Sequence, residues 1–174
     1  MSNESVRLAS SAITPAEDPG PYRDAQELLM RFLVASGAQI SLVIDPAGRV
    51  LVAAGDPGKL DPTGFASVCA AHFEANLQLA SLVGEPEFRT LLHQGEHSSI
   101  YLAGVAGSVL AVVYEGTRRL EEIGPIGNSI AIRLESPIRD LISDNAGNGK
   151  VKSLDPNWVN AVEKEIERVF SEGV

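Results

Sequence analysis

The chain has 174 residues, 44% of them hydrophobic, and carries 14 Lys plus Arg against 23 Asp plus Glu, a net charge of −9. The length suits one domain with tails, the apolar content excludes wholesale disorder, and the acidity argues against a nucleic-acid partner, which needs a larger basic patch than Arg118-Arg119 or Lys150 and Lys152 provide. There is no run of about 18 apolar residues, the N-terminus lacks a basic-plus-apolar leader pattern, and one cysteine, Cys69, permits no internal disulfide. A cytoplasmic protein with no membrane insertion is therefore expected.

Residues 1–22 hold Ser, Pro15, Pro19 and Pro21 and little apolar mass, and read as a disordered tail. From Asp24 a helical pattern begins, with Leu28, Leu29, Phe32 and Leu33 on one side and Gly37 placed to end it. ISLVIDPAGRVLVAAG (40–55) reads as two strands closed by a turn: Pro46 fixes φ and Gly48 tolerates a positive φ. A Pro- and Gly-rich loop follows and ends in Asp61-Pro62-Thr63, an N-cap signature.

Residues 65–83, FASVCAAHFEANLQLASLV, predict a helix that Gly84 and Pro86 terminate. One of its stripes is Phe65, Val68, His72, Ala75, Leu79 and Leu82; a second is Ala66, Ala70, Phe73, Leu77 and Ala80. Glu74 is its single charged residue. A surface helix is normally polar over about half its circumference. This one is apolar or small nearly all round, so one face is expected on its own sheet and another against a second chain.

Strands are predicted at 88–95, 97–104 and 108–115. GTRRLEEIGP (116–125) reads as a connection, and residues 127–145 as a helix that Pro137 kinks or splits. Residues 146–154 have linker composition. Asp155 then caps a final amphipathic helix over 155–172, with Pro156 at its first position and Trp158, Val162, Ile166, Val169 and Phe170 along one side. This order of helix, two strands, helix, three strands and helix indicates an α+β fold built on an antiparallel sheet, carrying a tethered C-terminal helix.

Motifs for chemistry are absent. GNGKVKS (147–153) lacks the first glycine of a phosphate-binding loop and follows no strand, and neither GxGxxG nor GxSxG occurs. His93 and His97 lie in extended chain with Gly95 between them, where their spacing does not converge on a metal. His72 reads as a packed or interface histidine. Cys69, without a basic neighbour in sequence, reads as an inert thiol, and Glu121-Glu122 as solvated charge. Arg118-Arg119 could enter a GTPase site in trans, but a solvated turn is the preferred reading. No cofactor, metal or catalytic group is expected.

GAQISLVIDPAGRVLVAAG (37–55), FASVCAAHFEANLQLASLVGEPEF (65–88) and LLHQGEHSSIYLAGVAGSVLAVVYE (91–115), in this order and spacing, resemble the bacterial roadblock/dynein-light-chain domain family. The resemblance spans about residues 24–145 and is strongest to the MglB type, which regulates a small Ras-like GTPase in cell polarity. It implies a five-stranded antiparallel sheet with helices on both sides over 23–145. It also implies a homodimer with paired central helices, and stimulation of GTP hydrolysis by remodelling of the GTPase's own site. Carried onto this chain, Ala70, Phe73, Glu74 and Leu77 fall on the GTPase-facing part of the central helix; Val68, Cys69, His72 and Leu79 are then expected at the dimer interface. Trp158, Val162 and Ile166 of the tethered helix resemble a further GTPase contact. Two alternatives remain: a dimeric adaptor with no effect on hydrolysis, and a small-molecule sensor of PAS or GAF type, which would need a roomy pocket with convergent polar groups.

Overall fold

The structure, a computed structural model, describes residues 20–148. The elements run α1 (Pro21–Ser36), β1 (Ile40–Ile44), β2 (Val50–Gly55), α2 (Pro62–Leu82), β3 (Thr90–Gln94), β4 (Ser98–Val105), β5 (Ser108–Glu115) and α3 (Leu120–Asn148). The five strands form one sheet in the order β2-β1-β5-β4-β3, and every adjacent pair is antiparallel. This is the expected α+β arrangement.

Local chemistry fixes the joints. In the β1–β2 turn the Asp45 carboxylate accepts from the amides of Ala47 and Arg49, each at 2.9 Å, and from Arg49 Nε at 2.7 Å. Gly48 takes φ +80°, and a Cβ there would lie 2.9 Å from the Ser67 backbone, so the turn is pressed onto α2. Asp61 caps α2 by accepting from the amides of Thr63 and Gly64, both at 3.1 Å. At its other end Glu85 N donates to Ala80 O (3.0 Å) and Gly84 N to Ser81 O (3.2 Å), with Gly84 left-handed at φ +78°. That pair of bonds satisfies carbonyls that a helix end otherwise leaves open.

The sheet is covered on both faces. Leu29, Phe32 and Leu33 of α1 and Ile123, Ile130, Leu134 and Ile138 of α3 pack on Val43, Val52, Tyr101, Leu110, Val112 and Tyr114. On the opposite face Ala66, Cys69 and Ala70 of α2 pack on Ile40, Leu42, Ile44, Leu102, Val109, Ala111 and Val113. Strand β1 is consequently buried along its whole length.

Several boundaries differ from the sequence expectation. α1 starts at Pro21 rather than Asp24, with proline in the first turn, where its missing N–H costs nothing. The segment 120–125, read as a connection, is the beginning of α3, and Pro137 does not split that helix. The donors missing at Pro125 and Pro137 would have met the carbonyls of Glu121 and Arg133, which belong to exposed residues, so the lost bonds fall on the solvent side of the helix. Gly127 is required by packing and not by a turn: a Cβ there would lie 2.4 Å from the Tyr101 ring. The expected tail, linker and C-terminal amphipathic helix fall outside the described residues, except that Pro21 and Tyr22 belong to α1 and residues 146–148 to α3.

Candidate functional site

Helix α2 turns its small residues to the sheet and leaves its larger ones elsewhere. Phe73 and Leu77 are half-buried, whereas Val68, His72, Leu79, Leu82 and Val83 are exposed, Leu82 to 85% and Val68 to 68%. The helix therefore presents two outward surfaces.

The first is one wall of a groove of about 860 Å³. The groove wraps round the end of the sheet from α2, past the β4–β5 turn, to α3. Ala70, Phe73, Glu74 and Leu77 line it on the α2 side, Val105 to Val109 at the turn, and Asn128, Ile132 and Glu135 on the α3 side. All four central-helix residues assigned to a GTPase contact are thus brought together along one depression. The Phe73 ring lies close over Gly104, where an added Cβ would meet it at 3.3 Å. The turn itself is strained: Ala106 has φ +48°, followed by Gly107 at +76°. Ala106 N donates to Glu135 Oε1 at 3.1 Å, and the other Glu135 oxygen pairs with Arg139 at 3.2 Å, so α3 holds the turn.

The second surface is the outer stripe of α2. It carries Val68, His72 and Leu79 of the residues expected at a dimer interface, with Ala75 exposed among them. Cys69 is not on it. That side chain is 5% exposed and lies in the core under the helix. Burial pushes its thiol up to about 11, so it stays protonated and unreactive at neutral pH. Sequence periodicity put Leu82 on the same stripe, although it was not named for the interface; it missed Val83 and the whole α3 wall of the groove. The sequence left Val105, Ala106 and Gly107 between the two strands; the structure adds Val105 to β4 and narrows the connection to Ala106-Gly107.

Several other polar groups have structural partners, whereas the buried hydroxyls of Ser41, Ser108 and Tyr114 have none. Asn76, buried in α2, donates from Nδ2 to Phe88 O at 3.3 Å and ties the helix to the segment before β3. Tyr101 OH donates to Asn128 Oδ1 at 3.2 Å, and its hydroxyl is pushed up to about 12, by burial first and by Tyr114 second. Arg118 lies over the Tyr114 ring, 5.7 Å from the centroid; its amide donates to Ser99 Oγ at 2.8 Å and its carbonyl accepts from Gln94 Nε2. It is held down rather than extended. The Arg119 carbonyl accepts from the amides of Glu122 and Ile123 at the start of α3. His72 of α2 and His93 of β3 meet with ring centroids 4.7 Å apart, at an interplanar angle of 70°; His97 is exposed beside Glu96. Among the described residues no group of three or more His, Cys, Asp or Glu is placed to hold a metal, and no helix is long and apolar enough to cross a membrane. Trp158, Val162 and Ile166 lie outside the described residues.

Residues 24–115 match the family model of the Roadblock/LC7 domain. Three solved structures are similar. MglB of Myxococcus xanthus is 25% identical, with 66% of this chain and 94% of that one aligned at a TM-score of 0.61. The gliding protein MglB of Thermus thermophilus is 30% identical, with 67% and 90% aligned at 0.61. An MglB in a tetrameric arrangement is 30% identical, with 70% and 92% aligned at 0.64. No curated protein matches.

Proposed function

Because the chain belongs to the Roadblock/LC7 domain family, we propose that it is a cytoplasmic homodimeric regulator that binds a small Ras-like GTPase and promotes GTP hydrolysis by remodelling the GTPase's own site, supplying no catalytic group itself. The observation that carries this reading is the double exposure of α2. Its outer stripe, with Val68, His72 and Leu79, is assigned to a second copy of the chain; a monomer would leave it as an apolar patch. The groove lined by Ala70, Phe73, Glu74 and Leu77 is assigned to the GTPase. The word gliding in the name of the Thermus relative supports motility as the process served, with cell polarity proposed beside it.

Arg118 supports the indirect mode of stimulation: it packs on Tyr114 and is not presented as a finger. Trp158, Val162 and Ile166 are proposed as a second GTPase contact, since tryptophan is enriched among interface anchors. The test is GTP turnover by a Ras-like GTPase of the same organism with and without the protein at equimolar amounts. A rise supports the reading. Binding without a rise favours an adaptor, and no binding rejects both. Truncation after Asn148 is expected to leave the thermal midpoint nearly unchanged and to weaken GTPase binding. A loss of several degrees would place the removed segment in the structural core.

A further inference from the structure

The two helical walls of the groove carry the same spacing. Ala70, Phe73, Glu74 and Leu77 stand at i, i+3, i+4 and i+7 on α2, and Asn128, Ala131, Ile132 and Glu135 stand at i, i+3, i+4 and i+7 on α3. Residues so spaced share one face of a helix, so two helix faces border one depression. Its apolar surface is left open by the chain itself: Phe73 and Leu77 are half-buried, and Ile132 is 73% exposed.

The floor decides the form of the occupant. An extended segment binds by adding main-chain hydrogen bonds to a sheet edge, and the main chain here is already committed. β4 and β5 stay paired up to the turn, Gly104 with Val109 and Val105 with Ser108. On their outer sides Val109 pairs with Ile44, and Gly104 N donates to Arg89 O at 3.2 Å. Ala106 N donates to Glu135 Oε1 at 3.1 Å. The groove therefore offers side chains, the surface that an amphipathic helix reads through anchors of the same spacing.

Charge decides the chemistry of the flank. Of the carboxylates lining the groove, Asp45 pairs with Arg49, Glu87 with Arg89 and Glu135 with Arg139. Glu74 is exposed and has no ion-pair partner among the described residues. The chain as a whole adds a net charge of −9, which draws a basic surface toward it.

We propose that the groove receives an amphipathic helix of the GTPase, with an apolar side chain seated between Phe73, Leu77 and Ile132 and a lysine or arginine set against Glu74. This rests on the GTPase reading above and specifies which surface of the partner is recognised.

The full chain and the Ras-like GTPase of the same organism test it, by calorimetric titration over a salt series and by amide hydrogen exchange on the GTPase. Glu74→Gln should weaken binding several-fold and flatten its salt dependence, and Glu74→Lys should weaken it about tenfold or more, because like charges then meet. Ile132→Ala should weaken it roughly fivefold through the lost apolar contact. Glu121→Gln, which removes an exposed carboxylate of α3 outside the groove, should change neither affinity nor salt dependence. These positions are exposed, so every variant should keep the wild-type thermal midpoint. On the GTPase, new protection should fall on a helix that carries Lys or Arg. Wild-type binding that Glu74→Lys and Ile132→Ala both leave unchanged overturns the occupant and leaves the GTPase reading standing, with its contact elsewhere. A loss with only one of these two variants overturns the half of the assignment that the other tests. Protection confined to a strand or loop overturns the helix. No binding by wild type overturns the GTPase reading itself.

Discussion

The two faces of the sheet are finished differently. On one, α1 and α3 turn Leu, Ile and Phe side chains inward over Tyr101 and Tyr114, and the core closes within a single chain. On the other, α2 meets the sheet with Ala66, Cys69 and Ala70 and keeps Val68, Leu79 and Leu82 outside. Apolar area removed from water stabilises by roughly 25 cal/mol per Å² wherever it is buried, so the second face leaves stabilisation to be realised in contact with another molecule. One face holds the fold, and the other is the face proposed to meet partners.

That contrast sets the order of expected effects. Leu134 is fully buried in the α1/α3 core, so Leu134→Ala should lower folding stability by about 2–5 kcal/mol, whereas Leu79→Ala on the outer stripe should change it by less than about 0.5 kcal/mol at protein concentrations too low for self-association. Urea denaturation of the two variants measures the difference; equal losses would break the distinction between the faces. Next, Gly127→Ala should cost about 1–3 kcal/mol, because the added methyl meets the Tyr101 ring and over-packing forces a shift. Denaturation of that variant beside Tyr101→Phe shows whether ring and helix act together.

A smaller effect sits on the partner face. Burial raises the Cys69 thiol from 9.0 to about 11, so the unfolded chain ionises first and stability falls as pH rises through that interval. At pH 10 the loss from this group is on the order of 1 kcal/mol. Cys69→Ala should flatten the decline between pH 9 and 10; a decline unchanged by the substitution would mean that the thiol is not desolvated. Above pH 10 the raised Tyr101 hydroxyl adds a further loss of the same sign.

The finished face was the harder one to delimit from sequence, and the partner face was the harder to orient. Asp45-Pro46-Ala47-Gly48 announced its turn, and Asp61 and Gly84 announced the ends of α2, because each supplies a backbone need that few residues meet. The start of α3 was hidden because Gly124, Pro125 and Gly127 resemble breakers. At Gly127 the cause is tertiary, the approach of a tyrosine ring distant in sequence. α2 was recognisable as apolar nearly all round, but a helix without a polar side has no phase, and periodicity could not show that Cys69 faces the sheet while Val68 faces outward. The groove's α2 wall came from resemblance. Its α3 wall, Asn128, Ile132 and Glu135, depends on how a helix folds back past the β4–β5 turn, which no local pattern encodes.

The most direct test of the account is stimulated GTP turnover by the Ras-like GTPase, compared between wild type and Leu77→Arg. Leu77 lines the groove and is half-buried, and an unpaired charge placed against a partner there costs several kcal/mol. The account predicts that wild type raises turnover and that Leu77→Arg, with its mass and thermal midpoint preserved, does not. Stimulation by Leu77→Arg equal to that of wild type would contradict the assignment of the groove to the GTPase.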